Sequence, residues 1–221
     1  MKRFIALLTC VILGTACFTG CANHDAAFSQ QSYTADGEEI TEVFVDVRDR
    51  KIEVLLSADN QIHIDYFENS KESYNISVSD GHTLTMTAQN QKEWTDYIGR
   101  KSAAGMRKIS LSLPDKILTA LNLSTTNETI SLPALTIMGD LSLSSQGGNL
   151  VFDKLYVENT IRLHAKNGDI SGTIIGNYDE YAISCDVKKG GSNLPSRKES
   201  GTKELNVSNN NGDIDIAFIS D

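Results

Sequence analysis

Two stretches of this 221-residue chain gather side chains that could hold a ligand. The first, within 89–108, carries Trp94, Tyr97, Arg100 and Lys101. Aromatic faces beside cations bind sugars or anions. The same stretch also reads as an excursion whose Trp covers one end of a stacked core. The second, within 186–203, carries Lys188, Lys189, Arg197 and Lys198 on a chain of formal net charge −9. There a solvated loop and a binding insertion are both open. Catalytic chemistry is thin. His24, His63, His82 and His164 lie at no metal-ligand spacing from one another or from a Cys. No Gly-x-Ser-x-Gly elbow, phosphate loop or Cys–His pair is present, and no pair of acids is singled out by its setting. We expect no catalytic residues, no metal and no cofactor.

The N-terminus carries a different chemistry. Lys2 and Arg3 precede an apolar run, Phe4 to Phe18, that is too short to span a bilayer comfortably, and Thr19-Gly20-Cys21 follows. This resembles the lipobox of bacterial lipoproteins, in which small residues precede a cysteine that is diacylated before cleavage. Phe18 stands where that motif usually has Leu, and Cys17 is a second candidate. An ordinary secretory signal with an incidental Cys21 is the alternative. The resemblance implies a signal peptide at 1–20, a lipidated flexible tether at 21–41, and membrane lipid as a partner through Cys21. It implies an extracytoplasmic protein held on the outer face of a bacterial membrane, because two acyl chains anchor stably where one does not. Losing Lys2 and Arg3 takes the net charge from −9 to −11, which argues against nucleic acid as a partner. Cys185 is then the one remaining thiol, without a disulfide mate, and reads as a small buried apolar residue.

The elements that must position these residues are strands. From Glu42 the chain alternates: Val43, Val45, Val47, then Ile52, Val54, Leu56, then Ile62, Ile64, Tyr66. Asp80-Gly81-His82 between two further alternating runs is a hairpin signal. Residues 42–113 therefore predict an antiparallel meander. Beyond it the chain repeats. Leu121, Leu141 and Ile161 open copies twenty residues apart, and Leu205 opens another. A fixed period of this length marks stacked coils. Six positions per coil recur over the three regular copies, as in Leu121, Leu123, Ile130, Leu132, Leu135 and Ile137. Sixteen of those eighteen are large and apolar, with Gly172 and Asn177 the exceptions. Between the first two strands of each coil lies a polar corner: Asn127-Glu128-Thr129, Gly147-Gly148-Asn149, Asn167-Gly168-Asp169, Asn211-Gly212-Asp213. A tight turn accounts for these, and the denser glycine array of calcium-binding coils is absent. We expect an all-β chain, a β-solenoid-like stack over 121–219 after the meander, with 42–221 as a single β-strand-repeat domain.

One turn breaks the period. Placing Tyr181 and Ile183 at the head of the fourth coil leaves twenty-four residues before Leu205, with the extra residues within Asp186–Ser192. Leu194 then takes the place held by Ile130, Leu150 and Ile170.

Strands leading to Leu113-Pro114, then repeats of apolar-x-apolar-x-x-x-Asn-Gly-Asp-Ile that end in Gly212-Asp213-Ile214-Asp215-Ile216, resemble the bacterial putative-adhesin family of β-strand-repeat domains. The resemblance covers about 42–219 and implies an all-β, solenoid-like fold of unknown function. The family supplies no catalytic residues. The function expected is a lipid-anchored extracytoplasmic binding module, adhesin-like, with an envelope glycan or a surface protein as ligand. A structural or sensing component that partners a membrane protein is the alternative. A carbohydrate-active enzyme fits less well, since the outward positions of the regular turns are mostly Ser, Thr and Asn.

Overall fold

The computed structural model describes residues 27–79, 82–90 and 103–220. Cys21, Trp94, Tyr97, Arg100 and Lys101 lie outside them. The described chain is built of strands, with two single 3₁₀ turns at Ala104–Arg107 and Tyr178–Glu180. It opens with β1 (Ser29–Asp36), β2 (Glu42–Asp46), β3 (Lys51–Leu56), β4 (Gln61–Glu68), β5 (Glu72–Val78), β6 (Thr83–Asn90) and β7 (Lys108–Leu113). The regular coils follow: β8 (Ala120–Thr125), β9 (Ile130–Leu132) and β10 (Leu135–Ile137), then β11 (Asp140–Ser145) and β12 (Leu150–Val157), then β13 (Thr160–Asn167) and β14 (Ile170–Ile175). The chain closes with β15 (Tyr181–Lys189), β16 (Arg197–Lys198), β17 (Lys203–Asn211) and β18 (Ile214–Ile219).

Each coil gives one strand to each of two sheets, and both sheets are nine-stranded and open. One, the A sheet, runs β1-β4-β7-β3-β9-β12-β14-β18, with β10 also on β12. The other, the B sheet, runs β16-β15-β17-β13-β11-β8-β2-β6-β5. The expected columns are real ladders between the sheets. Leu121, Leu141, Ile161 and Leu205 are successive partners, as are Leu123, Leu143, Leu163 and Val207. Ile52, Ile130, Leu150, Ile170 and Ile214 form the facing ladder. All of these are buried. Parallel neighbours lie about 4.8 Å apart, so each side chain stacks on its equivalent and water is excluded along the column.

Gly172 interrupts a ladder for a steric reason. A Cβ there would sit 2.2 Å from the ring of Phe152 in the preceding coil. The large side chain of one coil fills the place that the next leaves empty, and the pairing of β12 with β14 shifts register between Phe152 and Lys154.

Three expectations are corrected. The segment 42–113 is a meander only in part: β5–β6, β4–β7 and β1–β4 are antiparallel, but β2 is parallel to β6 and β8, and β3 to β7 and β9. It adds coils to the stack, because alternation specifies which face is buried and not which way a neighbour runs. Within the stretch read as tether, Ser29–Asp36 is a strand paired along its whole length with β4. Tyr33 and Ala35 pack against the core from it.

The third correction concerns the irregular turn. Ile183 and Cys185, not Tyr181 and Ile183, pair with Leu205 and Val207. Ser192, not Leu194, bridges to Ile214. The order of coils also changes: β17 lies between β13 and β15, so the last coil slots in beneath the fourth turn, which becomes the C-terminal end of the B sheet. Asn193 covers part of the exposed edge of β18. Its Oδ1 accepts from the Ile216 N–H at 3.0 Å and its Nδ2 donates to the Ile216 carbonyl at 2.9 Å, as a further strand would.

Candidate functional site

The outer face of the B sheet presents the regular polar positions in register. One row runs Phe44, Asn122, Ser142, Arg162, Asn206, Ser184, and the next runs Asp46, Ser124, Ser144, His164, Ser208, Asp186. Strand alternation turns these outward while their neighbours fill the core. The step from one to the next is about 4.8 Å. Hydroxyl and amide groups both donate and accept, so such a face offers repeated hydrogen-bonding positions to an extended partner. His164 Nδ1 lies 2.7 Å from Ser208 Oγ. Asp186 is opposite Ser208 on the far side. The hydroxyl therefore stands between imidazole and carboxylate positions, and among the described residues no acid is hydrogen-bonded to the ring.

The four cations of the irregular turn do different work. Lys198 is inside the fold's own hydrogen bonding: its ammonium donates to the carbonyls of Tyr181 at 2.7 Å, Ser200 at 2.7 Å and Asp179 at 3.3 Å, and sits 5.1 Å from the Tyr178 ring centre. It pins the 3₁₀ turn to the end strand and is withdrawn from any ligand. Arg197 is exposed beside Glu199 at 3.1 Å. Lys188 and Lys189 are exposed at the end of β15, and alternation points Lys188 to the same side as Ser184 and Asp186.

Under this turn, Tyr181 is buried among Phe218 and Tyr178, whose rings pack edge-on at 5.4 Å. Its Oη is buried with no hydrogen-bond partner among the described residues. Burial, then the nearby Glu180 carboxylate, pushes the phenol up from 10.0 to about 12. Tyr181→Phe should therefore raise stability by about 1–3 kcal/mol in urea unfolding, because a buried unpaired hydroxyl costs its desolvation. An acid whose pKa is raised by folding stabilises below its unfolded value and loses that contribution as pH climbs. The wild type should lose stability between pH 10.0 and about 12 more steeply than the Phe variant.

The polar corners are structural. The side-chain oxygen of Asn149 accepts from the Asp169 N–H at 2.9 Å, Asp169 from the Asp213 N–H at 2.9 Å, and Asp213 from the Gly191 N–H at 2.7 Å. Asn and Asp at this position thus tie each corner to the next. Gly212 carries φ +141°, and a Cβ there would meet the Gly168 carbonyl oxygen at 2.3 Å. Among the described residues no group of three or more His, Cys, Asp or Glu could hold a metal ion. The Asn127-Glu128-Thr129 corner differs as its sequence implies. Asn127 donates to Asp49 Oδ1 at 2.5 Å, and Glu128 pairs with Arg107.

A cleft of about 260 Å³ opens where the first coil turns, lined by Arg48, Asp49, Arg50, Tyr74, Gln89 and Asn127 among others. Arg50 is 1% exposed. Its guanidinium donates to Glu72 Oε2 at 2.7 Å, Tyr74 Oη at 2.7 Å and the Asp49 carbonyl at 3.2 Å, with the Phe28 ring centre 5.9 Å away. Burial works against its charge, but Tyr74 and Glu72 outweigh it and hold the pKa above its ordinary value. Burial also pushes the Tyr74 phenol up, with Arg50 opposing. No local pattern marks Arg50, since its partners come from β5. Gln89 ties the cleft to the strand that leads into 91–102, where Trp94, Tyr97, Arg100 and Lys101 lie outside the described residues.

Residues 40–220 match the Toastrack DUF4097 family. The chain belongs to that family. The match begins at buried Ile40, so the Toastrack unit takes in every coil, and the all-β, solenoid-like architecture read from the repeat is the architecture observed. A solved structure described as a putative cell adhesion protein from Clostridium sporogenes shares the Toastrack chain's fold at a TM-score of 0.57. The two are 13% identical, over 87% of this chain and all of that one. A putative adhesin from Bacteroides fragilis aligns with a TM-score of 0.34 at 13% identity, covering 86% of this chain and 97% of its own. No curated protein matches the Toastrack chain.

Proposed function

We propose that this Toastrack protein is a non-enzymatic, lipid-anchored binding module of a bacterial cell envelope, adhesin-like in use, that presents the outer face of the B sheet to an extended ligand. The observation that carries the reading is that face: two in-register rows over six successive strands, made of hydroxyl, amide, imidazole and charged side chains apart from Phe44 at one end, with no enclosed cleft among them. Binding along a flat repeat suits a polymer or a protein surface better than a small substrate, which needs concavity. The likeness to a structure described as a putative cell adhesion protein is consistent with it. The Thr19-Gly20-Cys21 motif supports anchoring by acyl chains, and residue 27 enters the stack beside β1, so the domain would stand off the membrane by its N-terminal end.

Each half has its own test. A chain beginning at Ala22 should cosediment with isolated envelope polymer, and failure to do so with polymer from any envelope type would remove the binding reading. In cells, Cys21→Ala should abolish fatty-acid labelling and leave the precursor unprocessed, whereas continued labelling of that variant would discard Cys21 as the anchor.

A further inference from the structure

The strand order brings together cations that are far apart in sequence. Arg162, His164 and Lys166 face outward from β13, and Lys188 faces outward from β15. Between those strands lies β17. Asn206 stands opposite both Arg162 and Ser184, and Arg197 stands opposite Ser184 on the next strand. Ala165 and Val187 share Asn209 as partner, and Asn167 and Lys189 share Asn211, so Lys166 and Lys188 flank Asn210 from its two sides. Two strand steps put Lys166 and Lys188 about 10 Å apart, and four residues put Arg162 and Lys166 about 13 Å apart. Asn206, Ser208, Ser184 and His164 lie inside the quadrilateral.

Several cations elsewhere are neutralised by acids. Over the A sheet, Lys51 and Lys108 both pair with Glu53, and Arg107 pairs with Glu128. At the cleft Arg50 pairs with Glu72. Arg162, Lys166, Lys188 and Lys189 have no carboxylate partner among the described residues, although acids outnumber basic residues 29 to 20 in the chain. The acids in the patch are Asp186 within it, Glu199 on exposed Arg197, and Glu204 at its border, 3.4 Å from Asn206 Nδ2. The other end of the face carries Glu42 and Asp46 instead, while Asp140 borders the patch on β11, opposite Thr160.

We propose that this patch of Arg162, Lys166, Lys188 and Arg197 is the ligand-binding part of the face, and that its ligand is an anionic polysaccharide. The inference rests on the binding-module reading and adds the chemical class. Carboxylate or phosphate groups on alternate units of an extended chain meet the cations, while sugar hydroxyls between them meet Asn206, Ser208 and Ser184. A nucleic acid would want aromatic side chains to stack its bases, and this patch has none. The chain enters the stack at β1, at the other end of the strand order from β15 and β16, so the patch lies far along the stack from that entry.

The test uses polygalacturonate as the anionic probe, dextran as the neutral one, and phosphatidylglycerol vesicles as the membrane arm. The purified protein should bind polygalacturonate with an affinity that falls as salt is raised, and should leave dextran and vesicles unbound. Arg162→Glu with Lys188→Glu should weaken binding at least tenfold with no change in thermal midpoint, both residues being exposed. Lys198→Met should lower the midpoint and leave affinity as it was. Polygalacturonate binding that is absent, or that the double charge reversal does not alter, overturns the patch. So does vesicle binding lost in the same variant, which would give these cations to headgroups. Where polygalacturonate fails but isolated envelope polymer still binds, the module reading survives without the patch.

Discussion

Arg50→Met should lower the unfolding free energy by about 3–5 kcal/mol, the usual result of removing one partner from a buried ion pair. The Arg50 side chain is 2% exposed and that of Glu72 is 17% exposed, so the carboxylate left behind is poorly hydrated. Tyr74 Oη loses a 2.7 Å donor at the same time. Two guanidinium hydrogen bonds also tie the corner after β2 to β5, two strands away in the B sheet. The thermal midpoint should fall by about 10 °C for a domain of this size. Glu72→Gln placed in the Arg50→Met background should recover part of the loss, because the half-buried charge that faced Arg50 is gone while the amide keeps the shape. A single-variant loss under 1 kcal/mol, or no recovery in the pair, would show that the cluster is a passenger on the corner.

Gly172→Val should cost about 3 kcal/mol, at the upper end of what overpacking does. The new Cβ would meet two ring carbons of Phe152, at 2.2 and 2.4 Å, and the Phe152 carbonyl oxygen at 2.4 Å. The ring can give way only by displacing the ladder around it, where Leu132 and Ile216 are buried. Phe152→Val with Gly172→Val restores a volume close to the original and should return at least half of the lost stability, measured by urea unfolding of all four proteins. Strict additivity of the two changes would mean that the ring and the glycine are unrelated.

The repeat made the coils legible because inward positions must be apolar and the spacing of those positions is regular. Leu121, Leu141, Ile161 and Leu205 stack as their spacing implies. The same signal is blind to a shift of two residues, which keeps every side chain on its face. Tyr181 and Ile183 therefore looked as good a start as Ile183 and Cys185, and only pairing with β17 separates them. Strand order is invisible for a related reason: a ladder of equivalent leucines and isoleucines accepts any coil as neighbour. Arg50 was hidden because Glu72 and Tyr74 reach it from more than twenty residues away. The binding patch was half visible. Its four corners could be named as cations, but Arg162 and Lys166 belong to a regular turn and Lys188 and Arg197 to the irregular one. Nothing short of the β13-β17-β15 order joins them.

That order has a consequence for how the protein is made. In an ordinary stack each coil leans on the one before it, so a growing chain can settle turn by turn, and losing the last turn leaves the rest intact. Here β15 is synthesised before the strand it leans on, and among the described residues the only strand it pairs with besides β17 is the two-residue β16. Until residues 203–211 emerge, the fourth turn has no seat, and a chain that stops short of them forfeits two turns at once. The penultimate strand is the keystone: the stack closes when β17 takes its place between β13 and β15.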